Sequence, residues 1–353
     1  MNILLLGGTR FLGKAIAEAF VANGDNVTLL HRGKSTTLPE GVTSVIGDRH
    51  DVHTFDSLQE EWDMVIDTCG YHPDAVRTSV NALQKASKQY LFISTISVYE
   101  EFAIANNLEE DDAALLTISD AQMEQEGLSN DKFGKFYGHL KTRCEEVVRE
   151  GFPNNHLILR PGLLVGPYDV TDRFTYWAWR VQQEAEMLAP GRPDKQVQFI
   201  DVRDIADWLV RLSRNDVKAA TMNVIGPTKG ITMEQLIEKA KQATGSSTPV
   251  TWVEETFLKE QGVHPWLEMP LWLPESFSLR EDGRLPEGEI VFSLDRAIEY
   301  GLQTRPVEDT IRDLVTWWDT LGKSEPGAGI ALSKETLVLQ EWHAKQEATE
   351  QPS

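Results

Sequence analysis

The sequence predicts a doubly wound α/β fold, a parallel sheet with helices on both faces. Three observations carry that prediction. Short apolar runs alternate with amphipathic segments through the first half of the chain. The runs are nearly continuous in Val, Ile and Leu, as strands covered on both faces are. A glycine turn joins the first run to the first amphipathic segment at residue 7. Strands that alternate with helices pair in parallel through right-handed crossovers.

The first strand is Asn2–Leu6, and the helix after the turn covers Phe11–Ala22, stopped by Asn23-Gly24. Strands follow at Val27–Leu30, Val42–Ile46, Met64–Thr68 and Tyr90–Thr95, with helices over Val52–Glu61 and Asp74–Ser87. Glu101–Ser129 is acidic and irregular, a loop or small lid. A helix covers Lys132–Arg149, and Leu157–Leu159 and Val197–Val202 are further strands. Beyond Thr221 the texture changes. MNVIG, TPVTWV and the Pro- and Trp-rich HPWLEMPLWLP suggest a smaller, less regular lobe, a texture that substrate-binding and purely structural lobes share. After Trp318 the stretch SEPGAG breaks the chain before a short helix over Lys334–Lys345. The final EATEQPS is expected to be disordered.

Composition narrows the class. The chain has 353 residues, 34 basic and 55 acidic, for a net charge of −21. That balance disfavours a general nucleic-acid binder, which needs a basic face to displace counterions. No run reaches the ~18 apolar residues of a membrane span, and Met1 leads straight into a strand with no signal-peptide flank, so the chain reads as cytoplasmic. Cys69 and Cys144 have no metal-ligand spacing, no metal site is expected, and they read as free thiols of a reducing compartment.

The turn Gly7-Gly8-Thr9-Arg10-Phe11-Leu12-Gly13 carries the first chemistry. Gly7 permits the sharp turn and Gly13 lets the helix pack closely on the sheet. Backbone N–H groups at the helix start then face an anion. Strand before and helix after are the context that such a phosphate-binding turn requires. Arg10, a bulky cation, occupies the central position. The second strand ends His31-Arg32-Gly33-Lys34, with no carboxylate for a ribose 2′-hydroxyl. Arg32, joined by Arg10, is placed to meet a 2′-phosphate, so NADP(H) is favoured over NAD(H). Asp48, after the third strand, is placed to meet an adenine amino group.

Tyr137 and Lys141, at i and i+4, share a helix face. A nearby Lys⁺ and a cationic nicotinamide both favour the phenolate and lower its pKa, which makes a tyrosine a general acid or base near neutral pH. Upstream, Thr95 and Ser97 place hydroxyls at the carboxyl end of a strand, where open α/β sheets bind ligands. Turn, hydroxyl and Tyr/Lys pair in this order are far more specific than any of them alone.

Together these residues resemble the extended short-chain dehydrogenase/reductase family, in its NAD(P)-dependent epimerase/dehydratase branch. The resemblance covers about residues 1–318, through GGTRFLG, GDR at 47–49, DTCGY at 67–71, STISVY at 94–99, YGHLK at 137–141, RPGLLVGP at 160–167, QFIDVRDIA at 198–206 and MNVIG at 222–226. It implies that Thr95 hydrogen-bonds the reacting oxygen and that Tyr137 is the acid/base. Lys141 would bind the nicotinamide ribose. Asp48 and Arg49 would border the adenine, Cys69 and Gly70 would line the cofactor, and Pro161 to Leu164 would border the nicotinamide. Arg10 and the missing acidic strand end resemble a divergent subgroup. A plant chloroplast branch of that kind binds RNA and often lacks the Tyr/Lys pair that this chain keeps.

The resulting division is a dinucleotide-binding Rossmann-type domain over 1–165 and a substrate lobe over 166–318. Segments around 193–226 return to the core sheet, and 319–353 form a tail. Arg173, Arg180 and Arg192 are candidates for a substrate diphosphate or carboxylate, Trp177 for stacking on a sugar or base, and Ser97 for a substrate contact. His139 points off the Tyr/Lys face, Asp201 and Asp204 read as structural, and Trp317-Trp318 as core. The expected ligand is a small molecule, with a sugar or nucleotide sugar as family analogy. Family members often dimerise through the Tyr/Lys helix, so a homodimer is one expected assembly.

Overall fold

In the computed structural model of the chain, residues 1–34, 37–100, 109–111, 114–276 and 291–350 are described. The chain divides into two compact units. The first comprises 1–164, 199–228 and 290–304, and the second 165–198, 229–289 and 305–353.

The first unit holds a seven-stranded parallel sheet. Its strands are β1 (Asn2–Leu6), β2 (Asn26–His31), β3 (Thr43–Ile46), β4 (Met64–Asp67), β5 (Tyr90–Ile93), β6 (His156–Pro161) and β10 (Ala220–Val224). They lie in the order β10-β6-β5-β4-β1-β2-β3. The chain runs outward from β1 to β3 and then returns to β4 on the other side of β1. Ligands of open α/β sheets bind at such a reversal, beyond the carboxyl ends of the strands. Leu6 and Asp67 are register partners there.

The helices cover both faces. Ile3 and Leu5 of β1 pack with α1 (Phe11–Ala22) and α6 (Val202–Leu212). Leu4 and Leu6 pack with α2 (Pro73–Leu83) and α4 (Tyr137–Gly151). Side chains alternate along a strand, so a strand with both faces buried is apolar at every position. The unit is completed by α3 (Asp120–Gln125), α9 (Asp295–Glu299) and two short strands, β7 (Leu164–Val165, whose second residue opens the other unit) and β9 (Ile200–Asp201).

The second unit contains α5 (Arg173–Arg180), β8 (Met187–Pro190), α7 (Met233–Thr244), β11 (Val250–Val253), α8 (Glu255–Glu260), α10 (Val307–Thr320) and α11 (Leu332–Glu350). β8 and β11 pair in parallel. Thr232 and Gln235 form a reciprocal capping box at the start of α7, and Gly245, at φ +70°, ends it.

Several elements differ from the sequence reading. The helix expected over Val52–Glu61 is a single 3₁₀ turn, Val52–Phe55. Phe55, Leu58 and Trp62 have helical spacing and are buried, but turns bury them, with Trp62 N–H bound to Ala86 O at 2.8 Å. The helix expected from Lys132 starts at Tyr137. Ser129 and Lys132 close a turn through mutual backbone bonds of 2.8 and 3.1 Å, and a 3₁₀ turn spans Gly134–Phe136. The strand expected at Val197–Val202 is reduced to β9, because Asp201 caps α6 by accepting from Arg203 N–H. Helix α11 runs through Glu350, so residues 347–350 are helical where disorder was expected. Much of the expected lid, 101–108 and 112–113, lies outside the described residues; the described part includes α3. Among the described residues no helix is long and apolar enough to cross a membrane.

Candidate active site

The glycine turn folds as its residue types require. Gly7 has φ +99° and Gly8 +85°, and a Cβ on Gly13 would lie 2.7 Å from Gly8 Cα. Helix α1 can therefore press against the turn only with glycine at 13. Phe11 itself has φ +40°, and Leu12 is core. Arg10 is the N-cap of α1 and makes no side-chain capping bond, and the first turn holds no acid. The opening N–H groups of α1 are thus left for an anion. This open helix start is the observation on which the chain fits a dinucleotide's diphosphate.

A cleft of about 490 Å³ opens there, lined by Gly7, Thr9, Arg10, Arg32, Asp48, Arg49 and Cys69 among others. It brings together turn residues and three strand ends that lie up to 62 positions apart in sequence. Arg49 lines this cleft and also has a structural task. Its guanidinium turns inward and grips Asp67 at 2.7 and 2.6 Å, with Ser79 Oγ at 2.9 Å and Ala75 O at 3.3 Å. Tyr90 donates to the same carboxylate at 2.9 Å. Arg49 holds Asp67 below the ordinary carboxylate range despite burial. Cys69 is free, and burial pushes its thiol up. Asp48 is exposed, and its carboxylate accepts from His50 N–H at 3.0 Å.

Lys141 is 2% exposed. Its ammonium donates to Gly70 O at 2.8 Å and Ile93 O at 2.6 Å, at the ends of β4 and β5. Burial draws its pKa down. Thr95 donates to Ser97 Oγ at 3.2 Å and accepts from Ser97 N–H at 3.1 Å. Burial pushes Tyr137 up to about 12, with the Thr95 hydroxyl acting the other way. The expected lowering of Tyr137 by Lys141 is therefore not found: desolvation dominates and the lysine is held by carbonyl oxygens. Gly138 explains how the pair is assembled. A Cβ there would come 1.9 Å from Ser97 O, so only glycine lets α4 lie against the turn that carries Thr95 and Ser97. Pro161 is buried at the end of β6 opposite Val224, and Leu164 is half-buried in β7.

The softer candidates separate within the second unit. Arg180 is 1% exposed and bound to Glu335 at 2.7 Å and to the carbonyls of Ala185 and Glu186, so it is structural and not a substrate anchor. Trp177 is core, with its indole N–H on Pro270 O at 3.0 Å, which removes it from stacking on a ligand. Arg192 pairs with Asp194 and Glu275 at the surface. Arg173 lies over the Trp266 ring at 5.3 Å.

Residues missed from the sequence complete the cleft. Tyr71 and Phe133 stack at 5.4 Å, and both rings neighbour Tyr137, at 6.3 and 5.5 Å. Asn130 Oδ1 accepts from the N–H groups of Tyr71 and His72 at 2.9 and 3.0 Å. Asp131 lies 3.5 Å from Arg32. The one available signal was the aromatic and amide content of Ser129–Phe133, just before the Tyr/Lys helix.

The profile of the NAD dependent epimerase/dehydratase family matches residues 3–226. The chain is 24% identical over 264 residues to the chloroplast stem-loop binding protein of 41 kDa b of Arabidopsis thaliana. That match covers 70% of this chain and 64% of the relative, so the chain spans less than two thirds of that protein's length. WbmH of Bordetella bronchiseptica, solved with NAD+, aligns at 15% identity and TM-score 0.63, covering 91% of this chain and 99% of that one. The UDP-glucuronic acid 4-epimerase of Bacillus cereus, solved with NAD, aligns at 16% identity and TM-score 0.60, covering 92% and 100%. These likenesses show a shared fold. Both of these solved structures hold NAD, which overturns the expectation of NADP(H). The physical reason lies at Arg32: the cation assigned to a 2′-phosphate already faces the Asp131 carboxylate.

Proposed function

The chain belongs to the NAD dependent epimerase/dehydratase family, and on that premise we propose that it is an NAD-dependent oxidoreductase of the epimerase, dehydratase or reductase type. Its substrate is a small molecule that reacts at an oxygen-bearing carbon, with nucleotide sugars as the favoured class; the UDP-sugar epimerase among its structural likenesses supports that choice. Within the family we assign it to the extended short-chain dehydrogenase/reductase branch, in the divergent subgroup marked by GGTRFLG. The second unit is proposed to carry the substrate lobe.

One observation carries the reading: a buried ammonium, Lys141, fixed on two carbonyls at the ends of β4 and β5, one helical turn from Tyr137. Bound NAD supplies the hydride acceptor and donor. Tyr137 exchanges a proton with the substrate oxygen and Thr95 steadies that oxygen. Two of the three N–H donors of Lys141 are used by carbonyls, and the third is assigned to a ribose hydroxyl. With its pKa pushed up to about 12, Tyr137 is protonated at neutral pH and suited to give a proton. Taking one requires a nearby positive charge, which an oxidised nicotinamide brings.

The test is to denature freshly purified protein and identify the released nucleotide by mass. NAD near one per chain supports an epimerase or dehydratase that recycles it internally. An empty chain that binds added NAD reversibly supports a reductase. A chain that does not bind NAD sinks the proposal.

The plant relative's name supports a second reading, binding of a nucleic-acid stem-loop. The net charge of −21 opposes it. A steep salt dependence of binding to a stem-loop oligonucleotide would favour it.

A further inference from the structure

The second strand ends without the acidic residue that reads the adenosine ribose in NAD-selective sites, yet the cleft at that strand end holds a carboxylate from elsewhere. Asp131 lies 99 positions beyond Arg32 in sequence and 3.5 Å from it in space, and both line the cleft with Arg10 and Asp48. We propose that Asp131 is the residue that makes this chain select NAD over NADP, standing in space for the acid that β2 lacks.

Three features support the assignment. First, Asp131 is held in place. The side chain of its neighbour Asn130 accepts two backbone N–H groups from the β4–α2 loop, at 2.9 and 3.0 Å. The Ser129–Lys132 turn is closed by its own pair of backbone bonds. The segment is thereby anchored to the β4–α2 loop through Asn130 and meets the end of β2 through Asp131. Second, the charge logic is direct. A carboxylate accepts hydrogen bonds from a ribose diol and repels a 2′-phosphate. Third, Asp131 engages Arg32, the β2-end cation placed to pair with that phosphate. The ion pair is exposed, with side chains 48% and 76% accessible. It therefore adds little to stability and is free to act on a ligand.

This inference rests on the dinucleotide-binding reading above, and the experiment separates the two. Binding of NAD and of NADP to the full chain is measured by calorimetry for the wild type, Asp131→Asn, Asn130→Ala and the double variant Asp131→Asn/Arg32→Ala. The wild type is expected to favour NAD. Asp131→Asn should reduce that preference at least tenfold, about 1.4 kcal/mol, mainly by tightening NADP. Asn130→Ala should move the preference the same way by releasing the segment. The double variant should lose the gain for NADP, because the released arginine is what holds the phosphate. An unchanged NAD/NADP ratio in Asp131→Asn, with NAD still bound, overturns the proposal alone. A wild type that binds neither dinucleotide overturns the dinucleotide reading, and this proposal with it.

Discussion

At the scale of the residue, the candidate site is governed by two neighbours in the chain, Tyr137 and Gly138. Tyr137→Phe keeps the ring contacts with Tyr71 and Phe133 and removes the proton. Hydride transfer is expected to fall by about 10²–10⁴-fold with NAD binding retained, as steady-state rates and calorimetry will show. In the wild type without nucleotide, the phenolate absorbance of this residue should titrate at about 12. Bound NAD⁺ should lower that midpoint, and the step should be missing from the Phe variant. Gly138→Ala tests the packing. The added methyl meets a backbone oxygen at 1.9 Å, which cannot rotate away, so α4 must shift. A loss of about 1–3 kcal/mol in denaturant unfolding is expected. A displacement of the Tyr137 ring near 1 Å would add a fall of about 100-fold in kcat. Retention of full stability and rate would show that α4 does not bear on the Ser97 turn.

At the scale of the element, the buried Arg49–Asp67 pair ties β4 to α2 and to the loop after β3. The carboxylate is bidentate on the guanidinium and also accepts from Tyr90 and from Cys69 N–H at 3.1 Å. Arg49→Ala leaves an uncompensated buried charge and should lower stability by about 3–5 kcal/mol. Urea unfolding of this variant beside Asp67→Asn would measure it. The sign of the pH effect follows from the direction of the shift. Asp67 is depressed below its ordinary 3.8, so its contribution is present above that pH and is lost as pH falls through the lowered folded value. An acid-unfolding midpoint that does not move in Asp67→Asn would refute this. The same element shows what the sequence could not say of Arg49. Its place after β3 puts it at the cleft, but only the return of the chain to β4 brings Asp67 beside it.

At the scale of the whole molecule, NAD should act as a stabilising ligand. A nucleotide that binds only the folded chain adds about 2.7 kcal/mol at a free concentration 100 times its Kd. The melting temperature should therefore rise with NAD, and rise less with NADP at equal concentration. A melting temperature indifferent to NAD would contradict the cofactor assignment. The parallel sheet, its two helical layers and the turn at residue 7 were legible because strands buried on both faces are apolar throughout and the turn is local. The Tyr/Lys pair was legible because four residues along a helix share a face. The extent of Val52–Glu61 was not, since a helix and a series of turns can bury the same three apolar side chains. Arg180 and Trp177 were not, since a guanidinium or an indole is written the same way whether it meets a ligand or a carbonyl in the core.

By itself, then, the amino-acid sequence determined the α/β class, the anion-ready start of α1 and the order of the Thr95, Tyr137 and Lys141 positions. All of these depend on local pattern and backbone stereochemistry. Only the tertiary structure decided which charges are spent and which remain available. Arg49 is taken by Asp67 and Arg180 by Glu335 in buried pairs, while Arg32 faces Asp131 in an exposed one. The reason is that a charge is defined by what lies within a few ångströms of it, and those partners arrive from segments 18, 155 and 99 residues away.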